Sequence, residues 1–369
     1  MIYNDLKHVL RHFRYQGEYI QAVELQAGNI NATYRLSYSG NGKPVDYILQ
    51  RINTVAFHEP VELMKNVQLV IDHIAAAMAR QKVDTDRRIL EFIPTDTGSL
   101  IYQDDKGGFW RSYIFIDNAT AYDSIEDPRH FYEAGRGFGE FQKYLFDFPA
   151  DKLVETIPNF HNTKKRFFDF VAAVAADKAG RAAALEKEID FFFDRRKMMS
   201  RIVDLIDAGE LPLRVTHNDT KLNNVLLDTT TGKALCVIDL DTVMPGSPLY
   251  DYGDAIRYGA NRAAEDESDL SRISLDMELF KAFTEGFVSE TAGALTAAEL
   301  QYLPLGVEVL TCELAMRFLT DYLNGDEYFK VKYPTHNLVR ARAQMQLLLD
   351  IESKHDAMCA YINQLVEPK

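Results

Sequence analysis

The sequence predicts an α+β fold in two lobes, with an antiparallel sheet in the N-terminal lobe and a larger, mainly helical C-terminal lobe. Three observations carry that expectation. Up to Ile116, apolar residues come in short alternating runs broken by Gly, Asn and Asp, as strands and hairpin turns do. Beyond it they recur at every third and fourth position over long runs, as buried helices do. A chain of 369 residues also exceeds what one hydrophobic nucleus usually organises. The period changes at Phe115-Ile116-Asp117, which divides the lobes at 1–117 and 118–369.

In the first lobe, Leu6, Val9, Leu10 and Phe13 share a helical stripe, so Asp5 to Phe13 reads as a helix in front of the sheet. Gln21 to Leu25 and Thr33 to Ser39 read as strands joined by a turn that contains Gly28, Asn29 and Asn31. Such a turn tolerates unusual dihedrals and leaves room for a ligand against the backbone, although a plain hairpin would look the same. A second hairpin over 39–44 leads to a strand from Val45 to Ile52, in which alternation sends Gln50 and Arg51 to opposite faces, Gln50 inward with Ile48. Asn53 to Met78 is a helix with Val61, Met64, Val67, Val70, Ile71 and Ile74 on one stripe. Arg88 to Ile93, Ser99 to Tyr102 and Phe109 to Ile116 complete the sheet.

In the second lobe, Pro128 to Phe146 is a helix. Its G-R-G-F-G-E (Gly135, Gly137, Gly139) looks like a dinucleotide fingerprint but lies inside a helical run, where close helix packing explains it better. Phe160-His161-Asn162 and Arg166 form a polar-aromatic loop before helices over Phe170 to Leu185 and Ile189 to Leu205. After the central stretch described next, a helix opens at Pro248 with Asp251 and Asp254 in its first turns, and Arg262 to Arg272 is a charge-rich segment. Met277 to Glu290, Thr296 to Leu303, Val307 to Leu323 and Val339 to Leu365 are helices. The third of these aligns Glu313, Arg317 and Asp321, which form either an internal ion-pair ladder or a site where Arg317 donates to an uncharged ligand.

The chemistry concentrates between Arg214 and Arg257. His217, Asp219 and Asn224 fill the kinase catalytic-loop pattern H-x-D-x-x-x-x-N, in which the Asp orients the attacking hydroxyl and the Asn holds Mg²⁺. Two β-prone runs, Val225 to Leu227 and Ala234 to Ile238, flank Thr229-Thr230-Thr231-Gly232, a hairpin that folds Asp239 back beside Asn224. Asn224 and Asp239 then form half of a Mg²⁺ site, with Asp241 a further or supporting ligand and substrate phosphates and water completing the shell. Lys221, two beyond the base, is placed to neutralise a moving phosphoryl group, and Asp251 to brace the loop backbone. ATP is thus the expected cosubstrate. Its contacts are expected at Gly28, Asn29, Thr33 and Gln50, with the adenine edge at Phe115 and Ile116. The strand that carries the kinase lysine has none here, and Glu62 is the nearest counterpart of the helix-C glutamate.

Composition narrows the partners. Net charge is −14 and no basic run is present, which argues against nucleic acid. No segment approaches eighteen uncharged apolar residues and the N-terminus lacks a secretory pattern, so a cytoplasmic chain without a membrane span is expected, and a monomer. Cys236, Cys312 and Cys359 are sparse and odd in number, which fits buried free thiols.

Six stretches resemble the N-acetylhexosamine 1-kinases of gut bacteria, within the aminoglycoside phosphotransferase and choline kinase superfamily. They are G-N-I-N-A-T-Y at 28–34, Y-I-L-Q at 47–50, L-R-V-T-H-N-D-T-K-L-N-N at 213–224, I-D-L-D-T-V-M-P-G-S at 238–247, M-R-F-L-T-D-Y-L at 316–323 and K-Y-P-T-H-N-L-V-R at 332–340. The resemblance implies a protein-kinase-like two-lobed fold and transfer of the ATP γ-phosphoryl group to the anomeric hydroxyl of GlcNAc or GalNAc, in salvage of host-glycan sugars. It implies Asp219 as the base, Asn224 and Asp239 as Mg²⁺ ligands, and Arg317, with Tyr322 and His161, on the sugar side. Two departures from protein kinases stand out: I-D-L-D in place of D-F-G, and Gln50 in place of the strand lysine. The alternatives are another small-molecule kinase of this fold, acting on an aminoglycoside, choline or homoserine, or an inactive nucleotide-binding module.

Overall fold

A computed structural model describes residues 2–25, 30–40, 43–122, 124–125 and 127–367. Its first lobe comprises α1 (Ile2–Leu10), β1 (Glu18–Leu25), β2 (Ala32–Gly40), β3 (Lys43–Ile52), α2 (Pro60–Arg80), β4 (Tyr102–Gln103) and β5 (Phe109–Ile114), with the strands in one antiparallel sheet of order β1-β2-β3-β5-β4. The period-2 pattern gives the sheet two different faces. Tyr47, Leu49 and Trp110 pack with Leu6, Val9 and Leu10 of α1, whereas Ile52 joins Leu63, Met64 and Val67 of α2 in a second cluster. That second cluster continues into Val215, Leu240 and Val243, so α2 is the apolar link between the sheet and the residues around the central stretch.

The chain then crosses through β6 (Ala119–Thr120), which pairs with β8 (Val225–Asp228), itself paired with β9 (Ala234–Val237). A second ribbon joins β7 (Arg214–Thr216) to β10 (Met244–Gly246). The helices are α3 (Pro128–Tyr144), α4 (Thr163–Ala176), α5 (Glu186–Asp194), α6 (Arg196–Asp207), α7 (Pro248–Gly259), α8 (Met277–Thr291), α9 (Ala297–Gln301), α10 (Leu303–Asn324), α11 (His336–Ser353) and α12 (His355–Val366). Helix α10 is buried along most of its length, and α4, α6, α7 and α11 pack around it. The glycines of α3 serve its approach to α8: a Cβ on Gly135 would lie 2.3 Å from the Phe283 carbonyl oxygen.

Several expected elements are corrected. Arg88 to Ile93 is not a strand but a single bridge, Phe92 to Tyr113, flanked by the hydrogen bonds Ile93 N–H to Ser112 O (2.7 Å) and Ile114 N–H to Glu91 O (2.9 Å). The helix expected from Phe170 begins at Thr163, capped by Asn162, and stops at Asp177 in the left-handed region. Two long helical runs are each broken, at Arg195 and at Lys354, because both halves carry the same apolar period and nothing in the pattern marks the bend.

Candidate active site

The central stretch is held from below by one carboxylate. Asp251, 1% exposed in the first turn of α7, accepts from the His217 N–H (2.9 Å), the Asn218 N–H (2.7 Å) and Gln142 Nε2 of α3 (2.6 Å). Burial pushes its carboxyl up, opposed by His217 and by these bonds. The His217 ring is fixed at both ends, with Nε2 donating to Ile238 O (2.9 Å) and Nδ1 accepting from the Asp219 N–H (3.3 Å). Thr242 Oγ1 donates to His217 O, and Asn218 Nδ2 donates to Thr242 O, tying the loop to the segment after Asp239. Asn218 (φ 65°) and Asp239 (φ 59°) both occupy the left-handed region, a cost of order 1–3 kcal/mol each that the surrounding bonds must hold in place.

The hairpin forms as its turn chemistry dictates. Asp228 Oδ1 accepts from the N–H groups of Thr230 and Thr231, Gly232 takes φ 70°, and Val225 pairs with Val237. The Ile238 N–H then donates to Asn224 O at 2.9 Å, bringing Asp239 next to Asn224. Asn224 Nδ2 donates to the Asp219 carbonyl (2.7 Å) and Oδ2 (3.1 Å), which engages the amide's donor end and leaves its oxygen as the atom that could hold a cation. Lys221 Nζ lies 2.9 Å from Asp219 Oδ1. Burial alone would lower the Lys221 pKa, but the charges of Asp219 and Asp254 outweigh it and keep the ammonium protonated.

Asp239 is pushed up to about 6, by burial first and then by the negative charges of Asp241 and Asp219. Asp241, 3% exposed, keeps one oxygen, Oδ1, without a well-directed hydrogen bond, and its Oδ2 accepts from Asn31 Nδ2 (2.7 Å). Crowded, buried carboxylate oxygens beside an amide oxygen fit a hard divalent cation. Among the described residues, no three His, Cys, Asp or Glu side chains form a metal cage by themselves, as expected where phosphates complete the shell.

On the nucleotide side, Gly28 and Asn29 lie outside the described residues. Thr33, Gln50 and Arg111 form one row across β2, β3 and β5. Gln50 Nε2 donates to Thr33 Oγ1 (3.3 Å), and Gln50 Oε1 accepts from Arg111 Nε (2.9 Å) and Nη2 (2.8 Å). Arg51 is exposed on the opposite face, against Trp110. Glu62 pairs with Lys65 on α2 and takes no part in this row. The Phe115 N–H is engaged by Asp46 O (3.0 Å), continuing the β3 ladder, and Arg35 lies over its ring, while Ile116 lines the apolar cluster with α2.

On the acceptor side, the expected ladder does not form. Glu313 pairs with His161 Nδ1 (3.0 Å) and lies 3.9 Å from Arg166 Nε, while Asp321 accepts from the N–H groups of Tyr328 (2.8 Å) and Phe329 (2.9 Å). Arg317, which among the described residues makes no ion pair, lies within 6 Å of the Phe160, Tyr328 and Phe329 rings (5.9, 5.8 and 5.6 Å). His161 is half-buried, with Nε2 shielded from solvent and without a hydrogen-bond partner among the described residues, and both it and Lys221 act electrostatically on Asp254, so the His161 end and the Lys221 end adjoin. A cavity of about 130 Å³ lies against His161, Tyr250 and Asn218. Tyr322 stands five residues beyond Arg317, roughly 140° around the helix, and its ring stacks on Arg181 (4.1 Å), in the apolar cluster that Phe329 also packs against. Tyr328 also lies beside Arg317, a residue the sequence left unassigned because it lies in an irregular segment.

A two-lobed fold whose sheet runs β1-β2-β3-β5-β4, above an H-x-D-x4-N loop and an Asp-bearing hairpin end, defines a small-molecule phosphotransferase of protein-kinase-like architecture. The chain belongs to the phosphotransferase enzyme family, whose model matches residues 21–277. It is similar to a microcompartment-associated aminopropanol kinase (16% identity, 97% of this chain and 98% of that one, TM-score 0.63). It is also similar to choline kinase from Cryptosporidium parvum (13%, 94% and 93%, 0.55) and to a spectinomycin phosphotransferase in complex with ADP and its antibiotic (13%, 96% and 98%, 0.52). At these identities the likeness establishes the fold. Among the described residues, no helix is long and apolar enough to cross a membrane.

Proposed function

We propose that this protein is an ATP-dependent anomeric kinase that converts an N-acetylhexosamine, GlcNAc or GalNAc, to its α-1-phosphate. The observation that carries the reading is the charge on the acceptor side. Among the described residues Arg317 stands within reach of three aromatic rings and makes no ion pair, while burial raises the Glu313 pKa but is outweighed by His161, Arg317 and Arg166, which hold it below its ordinary value. Guanidinium groups beside neutralised carboxylates repel an ammonium acceptor, and aromatic faces with spare donors suit a neutral sugar.

In this reading the anomeric oxygen attacks the γ-phosphorus in line as the bond from that phosphorus to the β,γ-bridging oxygen breaks and ADP leaves, and Asp219 receives the hydroxyl proton, a contribution on the order of 10²–10⁴ in rate. That hydroxyl is more acidic than an ordinary alcohol, so a carboxylate suffices as base. Asn224 and Asp239 would hold Mg²⁺, which would supply positive charge to offset that of the phosphates. Lys221, paired with Asp219 at 2.9 Å, would neutralise the transferred group. Arg317 and His161 orient the sugar. A cytoplasmic monomer acting in glycan-sugar salvage is the setting this chemistry suits.

The test is ADP release over GlcNAc, GalNAc, glucose, galactose, kanamycin, choline and aminopropanol, with phosphorus NMR to locate the new ester. Turnover with the N-acetylhexosamines and an anomeric phosphate is expected. Turnover confined to the amines would replace this reading with that of an amine-alcohol kinase, and ADP release with none of the acceptors would leave a nucleotide-binding module.

A further inference from the structure

We propose that Arg111 replaces the missing strand lysine as the cation for the α- and β-phosphates of the nucleotide, and that Asp241 holds it in reserve until the nucleotide arrives. The proposal rests on the reading of this cleft as an ATP site, and not on the identity of the acceptor.

Arg111 lies on β5, directly across the ladder from Gln50 of β3, which in turn lies across from Thr33 of β2. The three side chains therefore project from the same sheet face, the one that looks towards α2 and the Asp239–Asp241 segment. Only 3% of Arg111 is exposed. Its Nε and Nη2 both reach Gln50 Oε1, a fork that fixes the plane of the guanidinium, and Nη1 is in contact with Asp241 Oδ1 and 3.7 Å from Met64 Sδ. In protein kinases the strand lysine is paired with a glutamate of the helix that packs on this face. Here the helix offers a thioether, its Glu62 is engaged by Lys65, and the counter-ion comes instead from the loop beside Asp239.

A fully buried cation needs a partner. The one it has is a carboxylate adjacent to an incomplete cation site, joined to Arg111 as a close ion pair. With a cation held beside Asp239, Asp241 would trade one positive partner for another, and Arg111 would then be free to turn its Nη1 edge on a phosphate while Gln50 keeps its other edge. Gln50 positions the guanidinium and does not itself have to touch the nucleotide.

The test separates phosphate binding from folding. Calorimetric titration with ADP and with adenosine, in EDTA, compares wild type, Arg111→Lys, Asp241→Asn and the double variant Arg111→Met/Asp241→Asn, which leaves no unpaired carboxylate behind. Loss of one charge-assisted contact weakens binding by about 10- to 100-fold. That weakening is expected for ADP in the double variant relative to Asp241→Asn, with adenosine unchanged within about twofold. Arg111→Lys should keep most of the ADP affinity, since the positive charge is retained. Asp241→Asn alone should bind ADP more tightly than wild type, because Arg111 is released to the phosphates, and that gain should vanish in the double variant. Equal ADP affinity in the double variant and Asp241→Asn would overturn the proposal. So would equal losses for ADP and adenosine, which would make Arg111 a structural residue. A wild type that binds neither ligand would instead sink the ATP-site reading itself, and this proposal with it.

Discussion

Replacing Asp251 with alanine tests whether the catalytic loop is held from below as the geometry indicates. Three donors converge on this one carboxylate, the His217 and Asn218 N–H groups and Gln142 Nε2, at 2.9, 2.7 and 2.6 Å, and the residue is 1% exposed. Alanine leaves one N–H of each buried without an acceptor, with Gln142 Nε2 keeping only Val215 O (3.2 Å). At the low end of about 1 kcal/mol per unsatisfied group, the loss is about 3 kcal/mol. The low end is appropriate because burial already disfavours the ionised carboxyl, so removing it gives some relief. Asparagine keeps one acceptor oxygen but turns an N–H₂ towards donors, so Asp251→Asn should fall between alanine and wild type. The loop that loses its anchor carries Asp219, and a displacement of about 1 Å at the base costs roughly 100-fold in rate. Urea denaturation and turnover with ATP and the active sugar read the two effects. An alanine variant within about 1 kcal/mol of wild-type stability, turning over at the wild-type rate, would show that the loop is held by something else.

Other perturbations have equally definite outcomes. Asp219→Asn should lower kcat by about 10²–10⁴ while leaving the affinity for ATP within a few-fold, measured by steady-state kinetics and calorimetry, and near-normal turnover would remove Asp219 as the base. Gly286→Ala puts a Cβ 2.0 Å from the Tyr132 carbonyl oxygen and 2.9 Å from Arg136 N, both backbone, so α3 and α8 must separate and thermal unfolding should report a loss of about 1–3 kcal/mol or more. Glu313 is held below the ordinary glutamate range, burial being outweighed by His161, Arg317 and Arg166, so its contribution to stability is present above its unfolded pKa and lost as pH falls through the folded value. Denaturation curves between pH 7 and pH 3 should accordingly be flatter for Glu313→Gln than for wild type, and parallel curves would refute the pairing. Arg214→Met leaves Glu299, fully buried, without its two-pronged partner and should cost about 3–5 kcal/mol by the same assay.

How much of this was legible in the sequence depended on whether the signal was local. The catalytic loop and hairpin were readable because their spacing is a property of one short stretch: Asp219, Asn224 and Asp239 sit where five-residue and fifteen-residue separations and a T-T-T-G turn must put them. The role of Asp251 was also readable, as an acid opening a helix directly after that stretch. Arg111 was not. It lies sixty-one residues from Gln50, and only the β3–β5 register, which crosses α2 and the short β4, brings the two together. Tyr328 was missed for a similar reason: M-R-F-L-T-D-Y-L draws attention to Tyr322, near Arg317 in sequence but five residues along the helix, whereas Tyr328 comes beside Arg317 from the irregular segment that follows. Breaks at Arg195 and Lys354 leave the apolar period intact on both sides and so have no sequence mark.

The position of the buried cation has a consequence for how the lobes communicate. A protein kinase that pairs its strand lysine with a helix glutamate makes the site's completeness depend on where that helix sits. In this protein α2 carries no charge to the site and is instead pinned to the second lobe. Asn66, 1% exposed, donates to Val154 O (2.7 Å) and Val243 O (3.1 Å) and accepts from the Val154 N–H (3.0 Å). The link between sheet and catalytic segment passes through Asp241, which is bound by Asn31 from the β1–β2 turn and by Arg111 from β5. A guanidinium suits that post better than an ammonium, because it can hold Gln50 with one edge while its other edge changes partners, whereas a lysine would have to leave one to reach the other. On the proposal that Arg111 takes the phosphates, the event that completes this site is the transfer of Arg111 from Asp241 to the nucleotide, and not the movement of a helix.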